Sequence, residues 1–123
     1  MTRAAGWSRI VLAALFAFAG TMHFILPDPY VRIMPPALPF PRELVYLSGV
    51  LEIAGGVGLL VPRTRPAAGL GLVLLLLAVW PANVQMLLTA RAEGASPWWQ
   101  TALLLRLPLQ LVLIGWVWRA SRR

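Results

Sequence analysis

Six polar side chains fall inside long apolar runs of this sequence, where each of them needs a partner. Gln85 is predicted to face away from the others, which are His23, Glu52, Asn83, Arg106 and Gln110. An ionisable group inside a membrane costs about 2.5–3.5 kcal/mol on insertion scales, so such groups pair with one another or serve a function. A carboxylate, a guanidinium, two amides and an imidazole can together bind the polar head of a small molecule. We therefore expect these residues to form one polar cluster.

The depths of these residues along their helices support a common layer. At 1.5 Å of rise per residue, Glu52, Asn83 and Arg106 lie about 12–13 Å from the outer ends of their helices. His23 lies about 6 Å deep, and Gln110 lies about 18 Å deep. Three helices thus place a polar group in one layer, with His23 above it and Gln110 below it.

Glu52 and Arg106 are the predicted ion pair of this layer. A planar guanidinium can hold a carboxylate through two hydrogen bonds and still donate to Asn83. Such a pair can act as a structural clamp between two helices, or it can form the polar base of an outward-facing pocket. The surplus of polar groups favours the pocket. His23 by itself is more typical of an interfacial hydrogen-bonding residue than of a ligand-binding one.

Residues on the same helix faces are predicted to line this pocket. Ser48, Gly49 and Gly56 follow the three- and four-residue spacing of the face that holds Glu52. Small residues there let another helix approach closely or leave a cavity. The other predicted lining residues are Tyr30, Trp80, Met86 and Trp99. Most of the six Trp residues are predicted to be interfacial anchors, and only Trp80 is predicted to belong to the interior.

Four apolar runs must position these groups. They cover residues 7–26, 44–61, 67–90 and 98–118, and each approaches the 20 or so residues that cross the hydrocarbon of a bilayer. Backbone groups exposed to lipid need internal hydrogen bonds, so each run is predicted to be a helix and no strand is expected. The sequence predicts one all-α domain, residues 1–123, an integral membrane four-helix bundle. A soluble helical bundle is the rival, but residues 70–80 have no polar face at any helical period.

Composition and charge exclude several classes of protein. Hydrophobic residues make up 59% of the chain, which excludes disorder and a coiled coil. The net charge of +7 comes from Arg residues scattered singly between apolar runs, so no nucleic-acid partner is expected. There is no Cys and one His, which removes disulfides, thiol relays, iron–sulfur clusters and two-His metal sites within one chain.

The distribution of Arg predicts the orientation in the membrane. Seven Arg and no acidic residue flank one side, whereas three Arg are balanced by three acidic residues on the other. The positive-inside rule then places both termini in the cytoplasm of a bacterium, with the chain crossing the inner membrane four times. An alternative is cleavage of a signal peptide at Ala17-Phe18-Ala19, which would leave three spans.

The two connections on which the pocket depends differ in length. Residues 62–66 predict a tight turn, so the second and third spans should be adjacent and antiparallel. The segment 27–43 contains six Pro residues. Asp28 followed by Pro29 predicts the start of a helix, and Pro35-Pro36 should stop it within two turns. Its apolar residues predict either a structured cap at the outer surface or a connector with no further role; they are Tyr30, Ile33, Met34, Leu38 and Phe40.

A series of motifs resembles a known family. In order along the chain they are GTMHFILPDPY, MPPALPFPRELVYLSG, LEIAGGVGLLVPRTR, VWPANVQM and RLPLQ. Together they resemble the DoxX-like family of small bacterial four-span membrane proteins. The resemblance implies a four-helix bundle in which His23, Glu52, Asn83 and Arg106 match the polar positions of the family. It links the chain to quinone-reducing oxidoreductase complexes, to maturation of redox enzymes and, more distantly, to membrane-protein assembly factors.

The function predicted from these observations is that of a non-catalytic membrane module. It would bind a quinone or another small amphipathic molecule, as an accessory or assembly subunit beside a membrane protein partner. A four-span transporter is the alternative, which the charge bias and an Arg-paired Glu52 oppose. A purely structural subunit is a further alternative. An oxidoreductase with its own catalysis would have to take its redox chemistry from a bound quinone or a partner, since the chain has no flavin, haem or metal motif.

Overall fold

The computed structural model describes residues 3–32 and 34–122, which form an all-helical fold. The helices are α1 (Arg3–Ile25), α2 (Pro27–Arg32), α3 (Pro41–Leu60), α4 (Arg65–Ala92) and α5 (Pro97–Arg122), and these described ranges contain no strand. The predicted fold class is confirmed. The long helices α1, α3, α4 and α5 match the four predicted spans, with ends that differ by a few residues. Ile33, which was predicted to belong to the outer cap, and Arg123 lie outside the described residues.

The four long helices have the length and composition of membrane spans. Between 17% and 33% of the residues in each span are buried inside the protein. The outward faces hold large apolar side chains, such as Val112 with 67% exposure and Leu109 with 63%. Continuous apolar surface of this kind is not tolerated in water, whereas lipid covers it without cost. These are the features of a multi-pass membrane protein.

The helices pack as antiparallel neighbours in the order α1, α3, α4 and α5. The turn between α3 and α4 is as short as predicted. Within it, Thr64 Oγ1 donates to the carbonyl of Gly58 at 2.9 Å, and Arg65 Nε donates to the carbonyl of Leu59 at 2.8 Å. These bonds satisfy carbonyls at the C-terminal end of α3, which otherwise have no partner within the helix. The predicted adjacency of the second and third spans is therefore confirmed.

Small residues bring α1 and α3 into close contact. A Cβ atom added to Gly20 would lie 2.5 Å from the carbonyl oxygen of Gly49, and one added to Gly49 would lie 2.8 Å from that of Gly20. Farther along, a Cβ on Gly56 would lie 3.0 Å from the carbonyl oxygen of Ala13. The glycines of α3 therefore allow a helix to approach, which is the first of the two roles that small residues were predicted to have.

An apolar cluster closes the bundle at the end where α1 begins and α5 ends, which we call the N/C end. Leu12, Leu59, Leu72 and Val117 are between 0% and 1% exposed there. Arg9 is also buried, and its Nε donates to the carbonyl of Ala120 at 3.0 Å, which joins α1 to α5.

The opposite end of the bundle, which we call the α2 end, is covered on one side by the short helix α2. This helix begins at Pro27, so Asp28 lies in its first turn instead of capping it, and it ends at Arg32 as the following prolines predict. It packs on α1 and α3. Asp28 accepts a hydrogen bond from Arg42 Nη2 at 2.5 Å, which ties α2 to the start of α3.

Replacing Gly20 with Ala should destabilise the bundle, because the added Cβ would push the backbones of α1 and α3 apart. The expected loss is about 1–3 kcal/mol of unfolding free energy. Gly115 is the matched control, since a Cβ there meets nothing within 4 Å. Gly115→Ala should stabilise α5 by about 0.5–1 kcal/mol through helix propensity. Unfolding of both variants in mild detergent checks this, and equal shifts would show that the α1–α3 contact is not tight.

Candidate functional site

A cavity of about 370 Å³ lies between the helices in the half of the bundle toward the α2 end. Its wall contains all five polar residues of the predicted cluster: His23, Glu52, Asn83, Arg106 and Gln110. They come from four different helices, so their convergence depends on the tertiary fold. The volume falls in the range of small-molecule sites, which is roughly 300–1,000 Å³.

His23 is the partner of Glu52 in this cavity. The His23 Nδ1 atom lies 3.0 Å from the Glu52 Oε2 atom and 2.7 Å from the carbonyl oxygen of Ala19. A carbonyl only accepts, so Nδ1 carries the hydrogen of the bond to Ala19. Among the described residues no group makes a hydrogen bond to the buried Oε2 of Glu52. This oxygen therefore keeps its capacity to accept a hydrogen bond.

The predicted ion pair between Glu52 and Arg106 is not formed, and this prediction was wrong. Among the described residues, the basic side chain that contacts Glu52 is His23. Arg106 is exposed, and its Nη1 lies 3.5 Å from the sulfur of Met86. Equal depth does not place two side chains in contact: Arg106 lines the α5 side of the cavity, whereas Glu52 is held against α1 by the close α1–α3 packing.

Asn83 and Gln110 form an amide pair between α4 and α5. The Asn83 Nδ2 atom donates to Gln110 Oε1 at 2.8 Å, and Gln110 Nε2 donates to the carbonyl of Leu76 at 2.8 Å. Both residues are buried. The pair therefore holds α4 to α5 at the wall of the cavity. Each amide nitrogen carries a second hydrogen, so the expected donation to a ligand stays a prediction.

Tyr30 of α2 closes one side of the site. Its ring stacks on the imidazole of His23 with centroids 4.1 Å apart. Burial raises the pKa of the Tyr30 hydroxyl, the negative charge of Glu52 raises it further, and Arg106 opposes this. The hydroxyl is thus a protonated donor at neutral pH and lies within electrostatic reach of both charged groups. Through Tyr30 the segment 27–43 packs against the site, as expected of a structured cap.

The predicted lining residues divide into two groups. Tyr30 and Ser48 belong to the wall of the cavity. The remaining five lie outside it: Gly49, Gly56, Trp80, Met86 and Trp99. The two glycines contact α1 instead. Trp80 is partly buried, and its Nε1 donates to the carbonyl of Leu107 at 3.4 Å, so it packs between α4 and α5.

Most of the wall is apolar and was not predicted. Sequence reasoning followed the polar residues, whereas apolar residues that line a cavity look the same in sequence as those that face lipid. The only signal was helical spacing, since Ala19 lies four residues before His23 on α1. The lining residues that were missed are Leu15, Phe16, Phe18, Ala19, Met34, Val45, Leu75, Leu76, Val79, Ala82 and Leu113.

Comparisons with known proteins identify a family but no described function. A family model described as a domain of unknown function (DUF8561) matches residues 12–121. Neither the curated proteins nor the solved structures include a match. The resemblance of the motif series to DoxX-like proteins therefore stays a prediction from the sequence.

A double-mutant cycle can distinguish the observed pair from the predicted one. Glu52→Gln and His23→Phe should couple by about 0.5–3 kcal/mol, because the two side chains touch. Phe is chosen because it preserves the stacking on Tyr30. Glu52→Gln and Arg106→Met should be additive within about 0.5 kcal/mol. Unfolding in detergent measures both cycles, and strong coupling to Arg106 with none to His23 would contradict the structure.

Proposed function

The chain belongs to the DUF8561 family, and we propose that it binds a small amphipathic molecule, such as a quinone, in its cavity as a non-catalytic membrane module. The observation that supports this most is the convergence of His23, Glu52 and Arg106 on one cavity in which Arg106 does not join the pair of His23 and Glu52. The Glu52 Oε2 atom accepts no hydrogen bond from the described residues, and Arg106 has no carboxylate within ion-pair distance there. A cluster that served only as a structural clamp would also pair Arg106 with Glu52.

The polar groups of the cavity match the head of such a molecule. Glu52 and the side-chain oxygen of Asn83 accept hydrogen bonds, whereas Tyr30 and Arg106 donate them. The hydroxyls of a reduced quinone can therefore donate to Glu52 and Asn83, and the carbonyls of an oxidised quinone can accept from Tyr30 and Arg106. The rest of the wall is apolar, which suits the body of a quinone or of a lipid-like molecule.

The module is proposed to serve as an accessory or assembly subunit of a membrane redox system. The support for this is the resemblance of the motifs to DoxX-like proteins, some of which are linked to quinone-reducing complexes. A partner protein would supply the electron transfer. The cavity would present or sequester the quinone.

A four-span transporter is the alternative to a binding module. The argument that a paired Arg106 would keep Glu52 from carrying a proton fails, because that pair is not formed. Transport needs access to the site from both sides of the membrane. The cluster of Leu12, Leu59, Leu72 and Val117 fills the bundle at the N/C end, which favours a module that is accessible from the other half.

Filling the cavity should remove the bound molecule without unfolding the bundle. Ala19→Leu would extend into the cavity, and we expect it to lower the amount of small molecule retained by about tenfold for each 1.4 kcal/mol of binding energy lost. Ala14→Leu is the matched control, since Ala14 is exposed on the same helix and does not line the cavity.

The measurement is extraction and mass analysis of protein purified in mild detergent, with thermal unfolding as a check of folding. Wild-type protein and Ala14→Leu should contain the same molecule, and Ala19→Leu should contain much less. Equal retention by Ala19→Leu, or an empty wild-type protein, would refute the proposed site.

We further propose that the N/C end faces the cytoplasm of a bacterial cell and the α2 end faces the periplasm. Arg63, Arg119 and Arg122 are exposed at the N/C end, as the positive-inside rule requires. A reporter that is active only in the cytoplasm should be active when it is fused after the C-terminus and inactive when it is inserted within residues 35–41. The opposite pattern would reverse the model.

A further inference from the structure

On the premise that the cavity binds an amphipathic molecule, we infer that this molecule enters sideways from the bilayer, through an opening between α1 and α5. We call this opening the portal, and Leu15, Phe18, Arg106 and Leu113 define it. The inference also specifies the class of ligand: a molecule with a small polar head and a long apolar tail that stays in the portal.

The helices α1 and α5 meet at the N/C end. There Arg9 Nε bonds the carbonyl of Ala120, and Leu12 and Val117 pack in the same buried cluster. Toward the α2 end the two helices no longer fill the space between them, because the cavity lies there. The contact at the N/C end thus acts as the closed end of a cleft.

Helical spacing places the portal residues on facing sides of this cleft. Leu15 and Phe18 follow Leu12 in steps of three along α1, on the side turned away from α3. On α5, Leu113 and Arg106 precede Ala120 in steps of seven, which is two helical turns. Leu12 and Ala120 belong to the α1–α5 contact. The portal residues, which lie closer to the α2 end on the same two helices, therefore line the two sides of the cleft.

Exposure shows that the gap is open. Phe18 is 69% exposed and Leu15 is 49% exposed, although both belong to the wall of the cavity. Arg106, also part of the wall, is exposed on α5. The cavity is partly open to its surroundings, and exposed side chains that also line it lie at its rim or in its outer wall. At this depth the surroundings are hydrocarbon.

The other neighbouring helices of the bundle pack more closely than α1 and α5 do. Neighbouring helices pack against each other on the α1–α3, α3–α4 and α4–α5 sides. Tyr30, stacked on His23, covers the α1–α3 side of the α2 end, and the bond between Arg42 and Asp28 fixes α2 in place. The route between α1 and α5, where the packing is least close, leads into lipid.

The size of the cavity determines how much of the ligand it can enclose. About 370 Å³ accommodates one substituted ring, at the lower end of the range for small-molecule sites. A long chain attached to that ring must leave the cavity, and the apolar sides of Leu15, Phe18 and Leu113 suit it. Arg106 lies at the edge of the portal, where its guanidinium can donate to an oxygen of the head.

The position of the tail can be mapped directly. The probe is a benzoquinone with a ten-carbon tail that contains a diazirine near the ring. Purified protein in phospholipid vesicles is loaded with the probe, irradiated and digested. We expect labelling on the α1 peptide containing Leu15 and Phe18 and on the α5 peptide containing Arg106 and Leu113. An excess of the same quinone without the diazirine should remove this labelling.

Exchange of the probe through the portal supplies an independent readout. Leu15→Trp should narrow the portal and slow release of the bound probe into empty vesicles by about tenfold, in the manner of a gate. Leu47→Trp is the matched control: Leu47 of α3 has 53% exposure, close to that of Leu15, and does not line the cavity. Phe18→Ala should widen the portal and speed release.

The outcomes separate this inference from the proposed function. Competable labelling on the outer faces of α3 and α4, or equal release from the Leu15→Trp and Leu47→Trp variants, would overturn the portal while the binding site stood. A wild-type protein that takes up no probe would overturn both the quinone site and the portal. Labelling at the portal together with slowed release from Leu15→Trp alone is the expected result.

Discussion

The close approach of α1 and α3 is the contact on which the rest of the site depends. Gly20 and Gly49 face each other with no room for a side chain, so the two backbones touch. This contact brings His23 within 3.0 Å of Glu52 and gives a carboxylate buried in the membrane a partner. With the carboxylate held against α1, Arg106 on α5 has no anion to bind among the described residues. A cavity with separated charges results, instead of a closed ion pair.

The hydrogen bonds of the polar side chains show which of them stabilise the bundle and which can bind a ligand. The amides of Asn83 and Gln110 bond each other and the carbonyl of Leu76, so they join α4 to α5 as structural groups. Glu52 and Arg106 retain hydrogen-bonding capacity toward the cavity. Unused capacity is costly in a low-dielectric interior, and a bound polar head would recover part of that cost. The cluster therefore combines a clamp with a binding site, which the sequence presented as alternatives.

Much of the fold follows from the sequence, because the hydrocarbon of a bilayer accepts few structures and the apolar runs define their own limits. The neighbouring depths of His23, Glu52, Asn83, Arg106 and Gln110 also follow, since depth along a helix can be counted. The choice of partner does not. Depth gives no information on which side of the bundle a side chain faces. The sequence therefore predicts Arg106 as the ion-pair partner of Glu52, whereas the structure places His23 beside Glu52. Gly49 and Gly56 were open to two interpretations, and only the packed backbone distinguishes close approach from a cavity.

The most direct test of a ligand site at the centre of this bundle is an experimental structure of the protein purified from its native membrane without added ligand. Elongated density that begins between Glu52 and Arg106 and leaves between α1 and α5 is the expected result. A collapsed interior, with the guanidinium of Arg106 bonded to the carboxylate of Glu52 and no space between them, would contradict it. That outcome would make the polar cluster a clamp and leave the function to another surface of the molecule.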